Sequence, residues 1–249
     1  MTGTVAALWR HPIKSHGRQA LDAITLIAGQ TMPYDRRWAV TSGASRYQGG
    51  WDECHAFMIG THNPALAAMT ATLDEESQTV HLQHPALPDI SIQPDDPQSA
   101  AAFVTWVTPL TPPGRAAPQA IVTAGQRGMT DTKYPSVSIM NTASHAAVAD
   151  QLGKPLEPER WRGNIWLDGL PPWIEWDWIG RDIRIGAVTL RIQERIARCA
   201  HTAASPETGL RDADTLGALC DGWTHTDFGV YAAVMTGGRI ALGDELEVL

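Results

Sequence analysis

Short apolar stretches with a two-residue period recur along this 249-residue chain, and turn-forming residues separate them. Across residues 183–196 the apolar positions keep this period on either side of Gly186, which is typical of two strands joined by a turn. The second strand of this predicted hairpin delivers Arg198 and Cys199 at its end. The C-terminal tail repeats the pattern around the turn at residues 236–238, so we predict a second hairpin there.

Helical signals are fewer and short. An Ala-rich stretch at residues 65–72 predicts one helix, and residues 96–107, with a proline suited to the first turn, predict another. A strand at residues 136–140 leads to Asn141 or Thr142, either of which suits the N-cap of a third helix that ends at Leu152.

The four prolines between residues 109 and 119 indicate a linker, and we place a domain boundary there. The predicted organisation is a β-rich N-terminal subdomain, residues 1–110, followed by a second domain, residues 119–249. Many short strands and few helices predict an α+β, mainly β fold with a barrel-like architecture.

Composition excludes several classes of protein. A formal charge of −8 argues against a nucleic-acid platform, because phosphate backbones are held by surplus lysine and arginine. No apolar run approaches the roughly 18 residues of a membrane span and no signal peptide is visible, so we expect a cytoplasmic protein without a membrane partner. Three distant cysteines suggest neither a disulfide framework nor a CxxC metal site, and the nine histidines form no HExxH pattern.

The stretch at residues 195–209, RIARCAHTAASPETG, carries the strongest chemical signal. Arg198 precedes Cys199 where a strand is predicted to end, and a neighbouring cation stabilises the thiolate that attacks or binds metals. Thr202, Ser205 and Thr208 follow as further polar groups. The alternative is a buried and inert cysteine, which spacing alone favours.

Other polar motifs admit two interpretations each. Lys14 and Ser15 suit a phosphate but also suit an exposed turn. Arg36 suits an anion or a bridge to a nearby aspartate. Arg162 and Asn164, two positions apart in a predicted extended segment, would share a face and converge on one ligand, or would serve the backbone alone. The pair at residues 131–132, an aspartate and a threonine, precedes another strand, where a local turn is the alternative.

Taken in order, these segments resemble the MOSC family, which includes the mitochondrial amidoxime-reducing component and its bacterial relatives. HPIKS and DRRW resemble its N-terminal β-barrel region. The blocks SVSIMNTAS, RWRGNIWLDG, ARCAHTAASPETG, FGVYAAV and GRIALGDELEV resemble the MOSC domain. The resemblance covers nearly the whole chain.

The resemblance implies a molybdenum cofactor, in which a pterin dithiolene supplies sulfur ligands and Cys199 coordinates the metal as the catalytic residue. The implied cofactor contacts are Lys14, Ser15, Arg36, Asp131, Thr132, Arg162, Asn164 and Arg198. Soft thiolates suit such a metal, and scattered cations suit the pterin phosphate.

This resemblance also leads to a functional expectation: reduction of N-oxygenated compounds such as hydroxylamines, amidoximes or N-hydroxylated bases. No ferredoxin-type cysteine spacing is present, so electrons would come from a separate electron-transfer protein or reductase. Departures from the family pattern at His16, His62 and Lys133 leave the substrate open. Alternatives are a sulfur carrier with a persulfide on Cys199, and a non-catalytic cofactor-binding module.

Overall fold

The computed structural model describes residues 3–249. The strands are β1 Thr4–Arg10, β2 Gln19–Leu21, β3 Ala23–Leu26, β4 Trp38–Ser42, β5 Thr70–Asp74, β6 Thr79–His84, β7 Leu87–Ile92, β8 Pro118–Thr123, β9 Val137–Asn141, β10 Ile165–Asp168, β11 Asp182–Ile185, β12 Val188–Ala197, β13 Asp227–Thr236, β14 Gly238–Ala241 and β15 Leu246–Val248. The helices are α1 Pro97–Val107, α2 Thr142–Leu152 and α3 Thr215–Trp223. The fold is therefore α+β and mainly β, which confirms the predicted class. None of the helices in this range is long and apolar enough to cross a membrane.

An eight-stranded sheet dominates the fold, in the order β15-β11-β12-β13-β9-β10-β1-β2. Strands that lie far apart in this order are also connected, because residues at the start of β1 form backbone hydrogen bonds with residues around the start of β15. One of these bonds joins Val5 N to Asp244 O at 2.9 Å. Alternate residues point into one apolar core, which includes the fully buried Ile139, Leu190 and Val230. The intervening residues face the other side of the sheet.

Hydrogen bonding links the two halves of the chain. β1 and β2 belong to the large sheet, and β3 pairs with β14. In the other direction, β8 follows the proline-rich segment yet pairs with β4. The division into residues 1–110 and 119–249 stays a prediction.

A smaller apolar core lies in the N-terminal half. The three-stranded sheet β5-β6-β7, the helix α1 and the β4–β8 pair contribute to it, with Trp38, Met69, Leu82 and Phe103 among its buried side chains. This core supports the turn at residues 11–17, which carries Lys14 towards the large sheet.

The hairpin predicted across residues 183–196 is confirmed, since β11 pairs with β12 around Gly186, whose φ is 56°. The helix predicted at residues 96–107 is α1, where the Asp96 side chain accepts a hydrogen bond from Ser99 N. The helix predicted up to Leu152 is α2, which begins after the N-cap Asn141.

Two predicted elements are wrong. The stretch at residues 65–72 forms a 3-10 turn, Pro64–Ala68, and then enters β5, where residues alternate between buried and partly or fully exposed positions. The β-branched Thr70 and Thr72 favour that strand over a helix. In the tail, β13 does not pair with β14, because β12 and β9 already occupy both of its edges. The chain instead crosses at Gly237, which packs so closely on Leu26 O that a Cβ would lie 2.7 Å away.

Candidate functional site

A cavity of about 450 Å³ lies between the large sheet and the irregular segment 54–62. The sheet contributes the face opposite to its apolar core, through residues of β9 and β13 and the end of β12. Seven of the nine site residues predicted from the sequence line this cavity: Lys14, Ser15, Arg36, Asp131, Arg162, Arg198 and Cys199. Residues far apart in the chain therefore meet at one place.

Cys199 lies two residues beyond the end of β12 and is exposed. The hydroxyl of Thr61 donates a hydrogen bond to its sulfur, Oγ1 to Sγ 3.0 Å. The backbone carbonyl of Thr61 is held in turn by Arg211, at 2.6 Å from Nη2. The sulfur is thus accessible, and it has one fixed donor partner.

Lys14 is a buried cation on the cavity wall, with 3% of its surface exposed. Its Nζ donates to the Met129 carbonyl at 2.7 Å and forms an ion pair with Asp131. Desolvation raises the pKa of Asp131, but the charges of Lys14 and Arg36 outweigh this effect and hold it below its ordinary value. The pair leaves Asp131 ionised at the edge of the cavity.

Arg36 is anchored from both sides. It forms an ion pair with the buried Asp35, and its Nη2 donates to the Arg162 carbonyl at 3.0 Å. The backbone N–H of His11 also donates to Asp35, at 2.8 Å. Asp35 therefore lies behind the cavity wall and orients the Arg36 guanidinium.

Arg162 and Arg198 add two further cations. Arg162 Nη2 donates to Gly17 O at 3.0 Å, and burial together with the charge of Arg36 lowers the Arg162 pKa to about 9. Arg198 donates to Phe228 O and Trp161 O, each at 2.8 Å, and burial lowers its pKa to about 10. Guanidinium groups at this site are crowded and poorly hydrated, which is the electrostatic setting that an anion relieves.

Three of the lining residues have left-handed backbone conformations that are uncommon outside glycine. The φ angles are 63° at Ser15, 50° at Arg36 and 50° at Arg162. Such conformations cost roughly 1–2 kcal/mol per residue and concentrate at functional sites. Because the backbone turns at Arg162, the extended conformation of the predicted strand does not begin there, and β10 starts only at Ile165.

Thr132 and Asn164 do not line the cavity, and their cofactor contacts stay predictions. The Thr132 hydroxyl donates to Tyr134 O at 2.6 Å. Asn164 Oδ1 accepts from the N–H and the hydroxyl of Ser138, at 3.0 and 2.8 Å, and its Nδ2 donates to Trp9 O at 3.1 Å. The left-handed turn at Arg162 explains why Asn164 does not share its face, as the extended pattern had predicted.

Several lining residues carried no functional prediction from the sequence: Cys54, Gly60, Thr61, Arg160, His201 and Tyr231. Thr202, which was considered as a polar neighbour of Cys199, lines the cavity too. Ser205 and Thr208 do not, and the Ser205 hydroxyl instead accepts from the backbone N–H of Glu207 at 3.2 Å. A period-two pattern in FGVYAAV was a signal for Tyr231, because it places that side chain opposite the apolar core.

Within residues 3–249, no three His, Cys, Asp or Glu side chains are grouped so as to hold a metal ion. A broader depression of about 660 Å³ lies at the β11–β15 edge of the sheet. It contains no cysteine, and its Arg184 is paired with Glu247. The Cys199 cavity is therefore the candidate site.

Comparison with known proteins gave two family matches: the MOSC N-terminal beta barrel domain over residues 2–123 and the MOSC domain over residues 129–247. No curated protein matched. Among solved structures, the YuaD protein from Bacillus subtilis has 13% identity and a TM-score of 0.48, with 100% of this chain and 96% of that chain covered. YiiM from Geobacillus stearothermophilus has 19% identity and a TM-score of 0.35, with 45% of this chain and 53% of that chain covered. Because the two family models together span nearly the whole sequence, the chain belongs to the MOSC family.

Proposed function

We propose that this chain is a molybdenum oxidoreductase that reduces N-oxygenated compounds, such as hydroxylamines, amidoximes or N-hydroxylated bases, with electrons from a separate protein. The observation that carries the proposal is the exposed Cys199 sulfur in a cavity that also holds Lys14, Arg36, Arg162 and Arg198. MOSC domains often bind a molybdenum cofactor, and the reductase activity is the finer step that we add.

The residues present suit such a cofactor. A single soft thiolate suits a metal that arrives with pterin sulfurs already bound to it. The crowded guanidinium groups of Arg36 and Arg162 suit the pterin phosphate, because Arg offers two donors in a fork that matches phosphate oxygens. A volume of about 450 Å³ lies in the usual range for cofactor and small-molecule sites.

When bound, the molybdenum cofactor supplies two-electron redox chemistry for removing an oxygen atom from nitrogen. The chain's own residues bind and orient the reactants. Cys199 would hold the metal, and the Thr61 hydroxyl, which donates to its sulfur, would orient that sulfur. The segment 54–62 forms the opposite wall, where a small substrate would lie against Cys54 and Ile59.

The test compares wild type, Cys199→Ala and Cys220→Ala, purified from cells that make the cofactor. Cys220 is also exposed but does not line the cavity, so it is the matched control. We expect molybdenum in the wild type and in Cys220→Ala, little in Cys199→Ala, and reduction of N-phenylhydroxylamine to aniline with a chemical reductant. Equal molybdenum in all three proteins would refute the assignment of Cys199.

A second candidate is a sulfur carrier with a persulfide on Cys199. The observation that favours it is a second exposed thiol, Cys54, which lines the same cavity from the opposite wall. Intact mass separates the two functions: about 32 Da of reductant-labile mass on Cys199 supports the carrier. Bound cofactor without turnover of any N-oxygenated compound would indicate a non-catalytic binding module.

A further inference from the structure

Tyr231 presents its phenol to the Cys199 cavity from the middle of β13. Its neighbours Val230 and Ala232 are fully buried in the core of the large sheet, so alternation turns Tyr231 to the opposite face. In register it lies beside Ser138 of β9, another cavity residue. The ring is thus held on a central strand, which gives the hydroxyl a well-defined position.

The Tyr231 hydroxyl makes no hydrogen bond with any residue between 3 and 249. The cations around it differ in this respect, since Lys14, Arg36, Arg162 and Arg198 each donate to a backbone carbonyl of the chain. The phenol is therefore a neutral donor in the cavity whose proton remains available to a ligand.

The surroundings keep this donor protonated. Burial raises the pKa of Tyr231, and the carboxylate of Asp131 raises it further, whereas the charges of Arg198 and Arg36 offset only part of the effect. Because its pKa is raised, the phenol is neutral at neutral pH and can donate to an oxygen. It does not act as an anion towards the cavity.

We propose that the Tyr231 hydroxyl donates a hydrogen bond to the oxygen atom of the substrate's N–O group. This inference rests on the proposed reductase function and names a contact that decides its substrate class. Two electrons from the separate donor protein and two protons cleave the N–O bond and give the amine and water. The oxygen gains negative charge as this bond breaks, and a fixed donor aimed at developing charge is a large source of rate enhancement. The amine product lacks this oxygen, so it loses the contact and is released.

The experiment uses the cofactor-loaded protein, with Tyr231→Phe as the test variant and Tyr134→Phe as the control. The Tyr134 hydroxyl donates to Glu194 Oε1 at 2.7 Å, and Tyr134 does not line the cavity. N-phenylhydroxylamine and aniline are the matched ligands, because both are neutral and differ by one oxygen. Their dissociation constants are measured by calorimetry on oxidised protein without reductant, so that no turnover occurs.

For Tyr231→Phe we expect unchanged molybdenum, affinity for N-phenylhydroxylamine weakened about 3- to 10-fold, and unchanged affinity for aniline. With reductant, kcat/KM should fall about 100-fold, the usual loss of one such donor. Tyr134→Phe should match the wild type in every measurement. A selective effect on the oxygen-bearing ligand would not arise from a general packing role.

Three results would overturn the inference: equal loss of affinity for both ligands, loss of molybdenum in Tyr231→Phe, or no change in either affinity. If the wild type binds N-phenylhydroxylamine but does not reduce it, the reductase function fails while the pair of affinities still decides whether Tyr231 contacts the oxygen. If the wild type binds no N-phenylhydroxylamine, both proposals are wrong.

Discussion

Acid should destabilise the folded chain through His16, a fully buried residue beside the cavity. Its Nδ1 lies 2.7 Å from the Lys14 carbonyl oxygen and carries the proton of the neutral ring, whereas Nε2 has no hydrogen-bond partner within residues 3–249. Burial lowers the pKa of His16 to about 4, and the charge of Arg162 adds to the effect, although the bond to Lys14 opposes it. Protonation would place an unpartnered charge in the core.

The sign and size of the effect follow from linkage. Below the ordinary pKa of 6.5, the unfolded chain binds a proton at His16 that the folded chain does not bind, so stability falls as the pH drops from 6.5 towards 4. A pH of about 5 lies roughly 1.5 units below the ordinary pKa, so the free energy of unfolding should fall by about 2 kcal/mol. This loss is a substantial part of the roughly 5–15 kcal/mol of a typical domain.

The assay is urea unfolding of wild type and His16→Asn at about pH 7.5 and pH 5. The Asn amide can replace the Nδ1 donor but does not titrate, so the wild type should lose about 2 kcal/mol more than the variant on acidification. His55→Asn is the control, because the His55 side chain is 76% exposed and solvated. An equal loss in wild type and His16→Asn would refute the reasoning.

Two further variants test the walls of the cavity. Asn164→Ala leaves the N–H and hydroxyl of Ser138 and the carbonyl of Trp9 without their partner. The free energy of unfolding in urea should therefore fall by about 2 kcal/mol or more. If Asn164 served only to bind the cofactor, the variant would change molybdenum content alone. Gly60→Ala would place a Cβ 1.7 Å from Nδ1 of His201, so we expect about 1–3 kcal/mol of lost stability from the displaced ring, and an unfolding curve identical to wild type would contradict that contact.

Local rules of chain geometry were sufficient for several elements of the fold. The β11–β12 hairpin was predictable because its period of two and its glycine turn agree, and α2 was predictable because Asn141 caps it and Gly153 ends it. The pairing of β14 was not predictable, because its partner β3 lies more than 200 residues away in the sequence and the pairing depends on tertiary packing. The 3-10 turn before β5 was missed because alanine content says little about a segment that packs in the core.

The candidate site was predictable in its charged members and in Cys199, whose motifs stand out in the sequence. Thr61 was not, because it lies 138 residues before Cys199 and its contact with the sulfur depends on how segment 54–62 folds over the sheet. For Asn164 the motif predicted a cofactor contact, but its side chain hydrogen-bonds with the backbone of β1 and β9. Motifs identify polar residues, but the backbone turn at Arg162 decides that Arg162 reaches the cavity and Asn164 does not.

The arrangement of the cavity shows how an acidic chain gathers cations at one place. Left-handed turns at Ser15, Arg36 and Arg162 direct side chains to one place, and burial and crowding lower the pKa of Arg162 and Arg198. Both features make the free energy of folding less favourable. Burial of apolar side chains in the cores of the large sheet and of the N-terminal half offsets this cost. Because these costs are met before any ligand arrives, an anion that binds here gains the charge interaction without having to order the groups that make it.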